Sequence, residues 1–305
     1  MPGARIAVVP DGTAWAEEAV RAGGGELVGP DRAEGLVWAN SWVVDGLIDA
    51  LAASPDIRWV QLSLAGVERF AAAGVFGDGR TWTSAKVIYA DQVAEHALAL
   101  GLAGLRSVVR SSRTQTWEAP SGRVLQDGRV AILGGGGIGR SLLDLLAPFR
   151  TRNVVVRRHP EPMAGAERVV GPEDLGDALA DADLVVVALA LTPETTGVIG
   201  ASELAAMPEH SWLVNVARGR HVRTDDLVEA LQRSAIGGAA LDVTDPEPLP
   251  DGHPLWSLPN CVITPHIANT PQMTVAPMAA LIRENVQRFA AGQPLLGGVD
   301  PALGY

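Results

Sequence analysis

One segment limits the fold of this chain more than any other. Val130-Ala131-Ile132-Leu133, a short apolar run, passes directly into Gly134-Gly135-Gly136-Gly137-Ile138-Gly139. Ile138, Leu142, Leu145, Leu146 and Phe149 then recur at helical spacing. Gly134, Gly136 and Gly139 satisfy G-x-G-x-x-G, and here the pattern sits where its physics requires, between a strand and a helix. Gly134 permits the tight turn, Gly136 lets backbone approach a pyrophosphate, and Gly139 lets helix and strand pack closely. Gly137 and Ile138 open the helix, whose free N–H groups and partial positive charge suit phosphate oxygens. A glycine loop with no function is the bland alternative, and the strand–turn–helix setting argues against it.

The surrounding pattern extends this reading to the whole chain. Short Val/Ile/Leu-rich runs without clean alternation occur at 5–9, 36–38, 59–62, 86–89, 130–133, 154–156, 184–189, 213–216, 239–241 and 262–264. Such runs suit parallel strands covered on both faces. Helical segments separate them, for example 43–53 and 224–234. Strand–helix repetition predicts α/β architecture with doubly wound parallel sheets. Asp91 is a candidate N-cap for a crossover helix, and the polar stretch from Arg110 to Gly128 reads as a long connection. A last helix, roughly 278–291, is expected to return to the first domain. The expected domains are therefore 1–92 with 271–305, and a dinucleotide-binding domain at 93–270.

Bulk properties narrow the function. The 305 residues carry a formal net charge of −11, so there is no overall attraction to nucleic acid or anionic membrane. No apolar run reaches the roughly 18 residues of a membrane span. The run Ile6–Val9 is too short for a signal segment and is stopped by Pro10-Asp11-Gly12. A single cysteine, Cys261, excludes an intrachain disulfide and fits a reducing, cytoplasmic setting. It also offers no metal-ligand spacing, so no metal is expected.

The strand after the glycine turn ends in Arg157-Arg158. A carboxylate at this place bonds the ribose 2′-hydroxyl of NAD, whereas a guanidinium can pair with a 2′-phosphate. Arg157, with Arg158 beside it, therefore favours NADP over NAD. Ordinary solvated surface charge is the competing account.

Three late segments each place a reactive residue after a strand: Asn215-Val216-Ala217-Arg218-Gly219, Leu241-Asp242-Val243 leading to Glu247-Pro248, and Thr264-Pro265-His266. Beyond the carboxyl ends of parallel strands these would cluster. Together with Val93-Ala94-Glu95-His96, the glycine turn and Leu191-Thr192-Pro193-Glu194-Thr195, these segments resemble the D-isomer-specific 2-hydroxyacid dehydrogenase family over nearly the whole chain. The resemblance implies a Rossmann cofactor domain inserted in a flavodoxin-like substrate domain. It also implies hydride exchange between NADP or NAD and a small 2-keto acid such as glyoxylate or hydroxypyruvate. Arg218 matches the arginine that grips carboxylate and keto oxygen, His266 the general acid/base, and Glu247 its carboxylate partner. Thr192, Ala217 and Asp242 match cofactor contacts, Asp242 at the nicotinamide end. A homodimer with a cleft that closes between domains is part of the same implication.

Leu64, Ala65 and Gly66 resemble the family's substrate loop, with Leu64 replacing a glycine and Glu68 an aspartate. The added bulk is expected to narrow the pocket. Trp38, Trp42 and Trp117 could line a site, but a core role is the better expectation for each. His96 reads as a structural helix residue, Asn215 as a backbone-fixing one, and His159, His210, His221 and His253 as exposed. Two other classes compete. Some relatives are non-enzymatic corepressors that sense dinucleotide. Formate dehydrogenase, on the same fold, pairs its histidine with glutamine, which Glu247 argues against.

Overall fold

The computed structural model describes residues 3–39 and 43–300. The chain divides into two compact units, residues 1–89 with 270–305 and residues 90–269.

In the first unit the apolar runs become β1 (Arg5–Val9), β2 (Glu26–Leu27), β3 (Gly35–Trp38), β4 (Trp59–Leu62) and β5 (Thr81–Thr83), a parallel sheet in the order β2-β1-β3-β4-β5. That order is flavodoxin-like. Helices α1 (Ala14–Ala22), α2 (Asp45–Ala52) and α3 (Glu68–Ala72) alternate with the strands. Every residue of β3 and β4 is buried, which explains why these strands lack alternation. Leu36, Trp38, Leu47, Val60, Leu62 and Phe70 form the centre of the core.

The second unit opens with α4 (Ala90–Leu105) and α5 (Val108–Arg113). Strands β6 (Arg129–Leu133), β7 (Arg152–Val156), β8 (Arg168–Val170), β9 (Leu184–Val187), β10 (Trp212–Asn215), β11 (Gly238–Leu241) and β12 (Cys261–Ile263) follow. Helices α6 (Gly137–Leu146), α7 (Leu175–Leu179), α8 (Ala201–Ala206) and α9 (Thr224–Gln232) lie between them. The parallel order β12-β11-β10-β9-β6-β7-β8 reverses direction at β6, the Rossmann switch point. The predicted fold class, two doubly wound parallel-sheet α/β units, is observed.

The last helix is α10 (Pro271–Ala290), which packs against α1 in the first unit. Buried Asn285 donates from Nδ2 to Gln61 Oε1 at 2.8 Å, tying this helix to β4.

Several local expectations are corrected. Residues 86–89 are not a strand: Ala85–Val87 form a single helical turn with Val87 solvent-exposed, and the edge strand is Thr81–Thr83. Its β-branched and aromatic side chains suit pairing with β4, while Lys86 breaks the apolar run. Strands β2 and β8, two and three residues long, were too short to show a pattern. Asp91 lies inside the first turn of α4 rather than capping it, and accepts from Ser141 Oγ at 2.6 Å. On α6 the buried face uses Leu143, and Leu145 is exposed. Trp38 is a core residue, Trp117 is fully exposed, and Trp42 lies outside the described residues.

Candidate active site

The glycine turn has the geometry its spacing requires. Gly134 has φ of +120°, a conformation L side chains avoid, and a Cβ there would stand 2.3 Å from Ala188 O. A Cβ on Gly139 would stand 2.1 Å from Gly134 O, so helix α6 starts hard against the turn. At Gly136 nothing lies within 4 Å of a would-be Cβ. Gly136 is the N-cap of α6, with Gly137 and Ile138 in the first turn, so the clear space beside it adjoins a helix N-terminus of the kind that suits phosphate. A Cβ on Gly135 would meet Arg157 Cδ at 2.8 Å and Met163 Sδ at 2.9 Å, so the Arg157 side chain lies across the turn. Arg158 is 4.0 Å from Glu194, both well exposed. These residues fit a dinucleotide.

Arg218, Glu247 and His266 sit on the loops leaving β10, β11 and β12, adjacent strands of one sheet. Glu247 Oε1 is 2.7 Å from His266 Nδ1. Burial acts to raise the Glu247 carboxyl pKa. The His266 hydrogen bond and charge, the Thr244 backbone and the Arg218 charge outweigh it and leave the carboxyl below its ordinary value. The three side chains therefore share one electrostatic environment. The Glu247 bond occupies Nδ1, so Nε2 is the nitrogen available for proton exchange. His266 also has φ of +54°, unusual for a residue with a side chain.

What holds that backbone is Asp242. Its side chain is 1% exposed, and it accepts from Thr264 Oγ1 at 2.6 Å, Ile267 N at 2.9 Å and Ala268 N at 3.0 Å. His96 Nε2 on α4 lies 3.2 Å from the same carboxylate. Burial again pushes the carboxyl upward, and these donors bring it below its ordinary value. His266 N in turn donates to Asp242 O at 2.9 Å. Sequence reasoning placed Asp242 beside the cofactor and missed this role, because residues 242 and 264–268 meet only through pairing of β11 with β12.

Arg218 Nη1 donates to Ala217 O at 2.6 Å, and Ala217 N donates to Asn215 Oδ1 at 3.1 Å. Asn215 Nδ2 donates to Arg218 O at 2.9 Å, so Asn215 fixes backbone as expected. Thr192 N donates to Thr195 Oγ1 at 2.8 Å inside a tight loop. Leu64, Ala65 and Gly66 lie after β4 in the first unit, each partly buried. The expectation of exposure fails for His221, which is fully buried, and for His210 and His253, which are partly buried. His210 binds Asp183 at 2.9 Å and His253 caps a helical turn. Burial pushes the Cys261 thiol up to about 12, which leaves it unreactive. Among the described residues no group of side chains could hold a metal, and no helix is long and apolar enough to cross a membrane.

Comparison with known proteins agrees with this geometry. Residues 96–268 match the family described as D-isomer specific 2-hydroxyacid dehydrogenase, NAD binding domain. A protein of Corynebacterium melassecola, named only as uncharacterized in the proB 3′ region, is 38% identical over 284 residues, 91% of this chain and 93% of that one. Glyoxylate/hydroxypyruvate reductase A of Serratia proteamaculans is 34% identical over 221 residues, 71% of this chain and 69% of that one. The crystal structure of a D-isomer specific 2-hydroxyacid dehydrogenase from Xanthobacter autotrophicus Py2, in complex with NADPH and MES, superposes with a TM-score of 0.85. That superposition has 30% identity and covers 100% of both chains. With its glycine turn, its arginine and its histidine–glutamate pair in one Rossmann unit, the chain belongs to the D-isomer-specific 2-hydroxyacid dehydrogenase family and is an NAD(P)-dependent oxidoreductase.

Proposed function

We propose that the enzyme prefers NADPH and interconverts a small 2-keto acid, such as glyoxylate or hydroxypyruvate, with its D-2-hydroxy acid. The observation that carries this is the 2.7 Å pair of His266 Nδ1 and Glu247 Oε1 within reach of the Arg218 charge. The Serratia relative, named as a glyoxylate/hydroxypyruvate reductase, supports the substrate class.

In this reading Gly134, Gly136, Gly137, Ile138 and Gly139 hold the pyrophosphate, and Arg157 with Arg158 the 2′-phosphate. Thr192 and Ala217 contact the cofactor, Asp242 serves its nicotinamide end only through the loop it holds, and the chemistry a bound nicotinamide supplies is hydride transfer to or from carbon. The Arg218 guanidinium pairs with the substrate carboxylate and keto oxygen and offsets negative charge as it develops there. His266 Nε2 protonates the alkoxide during reduction and removes the hydroxyl proton during oxidation. Glu247 orients the ring through its 2.7 Å bond to Nδ1. Leu64, Ala65 and Gly66 are assigned to substrate carboxylate binding, with Leu64 restricting side-chain size. The relative named as a glyoxylate/hydroxypyruvate reductase favours an enzyme over a non-catalytic dinucleotide sensor.

The enzyme is further read as a cytoplasmic homodimer. Fully exposed Trp117, with exposed Val108 and Val124 in the same stretch, supports burial of this segment in a second copy. The deciding assay mixes purified protein with NADPH or NADH and a panel of 2-keto acids and follows loss of the reduced nicotinamide. Turnover of small 2-keto acids, faster with NADPH, is expected. Silence with every acid and both cofactors would sink the proposal.

A further inference from the structure

His221 is fully buried within a polar stretch that reads Arg218-Gly219-Arg220-His221-Val222-Arg223. A buried imidazole must satisfy both ring nitrogens. Nδ1 lies 3.2 Å from Arg218 N and 3.0 Å from Arg218 O. Nε2 lies 3.2 Å from Ala190 O. A carbonyl oxygen only accepts, so Nε2 carries a proton. In the neutral ring Nδ1 then accepts from Arg218 N–H, while Arg218 O is held separately by Asn215 Nδ2 at 2.9 Å. One side chain thus grips the backbone of Arg218 with one nitrogen and the loop after β9 with the other.

That second loop carries Thr192. Ala190 O also accepts from Thr195 Oγ1 at 2.8 Å, and the same hydroxyl accepts from Thr192 N at 2.8 Å. The path from Arg218 through His221, Ala190 and Thr195 to Thr192 is continuous. The Arg218 turn has little other slack: a Cβ on Gly219 would stand 1.9 Å from Thr244 O. A long guanidinium can hold a carboxylate in reacting geometry only if its base is fixed.

We infer that His221 is a positioning residue with two separable duties: Nδ1 sets the substrate-gripping turn at Arg218, and Nε2 sets the cofactor-side loop at Ala190. This rests on the reading of Arg218 and Thr192 given above. The surrounding backbone is held independently, by Ile199 N donating to His221 O at 2.9 Å and Gly197 N to Arg220 O at 2.8 Å. Variants at 221 are therefore expected to fold.

The test uses two substitutions that each keep one nitrogen's place. Asparagine puts an amide near the position of Nδ1 but falls short of Ala190, whereas glutamine reaches Ala190 but leaves Nδ1 empty. With glyoxylate and NADPH as probes, H221N should keep the wild-type KM for glyoxylate and bind NADPH about five- to tenfold more weakly by fluorescence titration, the worth of one neutral hydrogen bond. H221Q should do the reverse. Both constants moving together in both variants, or neither moving while Tm falls, would overturn the inference and leave a purely structural histidine. A wild-type protein that binds no NADPH and reduces no 2-keto acid would instead remove the parent reading, and this inference with it.

Discussion

At the scale of single residues, the chemistry rests on groups whose surroundings are set by a few short contacts. His266 is partly exposed and depends on Glu247 for orientation, so the pair is held by one bond of 2.7 Å. On the proposed acid/base role of His266, kcat of His266→Ala should fall about 10²- to 10⁴-fold in steady-state assays. On the proposed role of Arg218 against charge that develops during reaction, Arg218→Ala should lower kcat/KM by a comparable factor. Full activity in both variants would exclude the assignment. Arg157 lies across Gly135, where an added Cβ would stand 2.8 Å from its Cδ. Arg157→Asp should shift the NADPH/NADH ratio of kcat/KM toward NADH by about tenfold or more, since a carboxylate repels a 2′-phosphate. An unchanged ratio would show that Arg157 does not read that position.

At the scale of elements, Asp242 at the end of β11 holds the loop leaving β12. Its carboxyl is lowered from the ordinary value of 3.8 by its donors, against the opposing effect of burial. The sign follows: a carboxyl with a lowered folded-state pKa stabilises the native form above its unfolded pKa, and the contribution is lost as pH falls through the folded value. Asp242→Asn should therefore cost about 1–3 kcal/mol near neutral pH, the worth of a buried hydrogen-bonded carboxylate. The Tm gap between wild type and variant should close as pH drops below about 4. A gap that stays constant across that range would show that charge on Asp242 is not what pins the loop. The elements themselves were unequally legible. Central strands such as β6 and β9 announced themselves as apolar runs because both faces are covered. Edge strands β2, β5 and β8 did not, because each is two or three residues long and includes polar side chains that interrupt an apolar run.

At the scale of the whole molecule, two units with separate apolar clusters imply that a ligand of one unit stabilises that unit first. Saturating NADPH at 100 times its Kd should add about 2.7 kcal/mol to the unit containing the glycine turn. In calorimetry this appears as a rise in one unfolding transition with NADPH and not with adenosine. No shift at saturation would argue against dinucleotide binding there.

The chain order of residues was enough for the fold class and the glycine turn, because each depends on spacing along the chain, while Arg218, Glu247 and His266 were picked out by the family resemblance. Parallel strands covered on both faces read as apolar runs, and a strand-to-helix turn needs glycine at fixed offsets. The support beneath those side chains was decided only by tertiary structure. His221 lies among arginines in sequence and so reads as surface, yet it is buried against Ala190, 31 positions away. Asp242 meets Ile267 25 positions on because two strands pair in register. Whether a polar side chain is solvated or buried depends on what the rest of the chain brings against it, and local sequence does not carry that information.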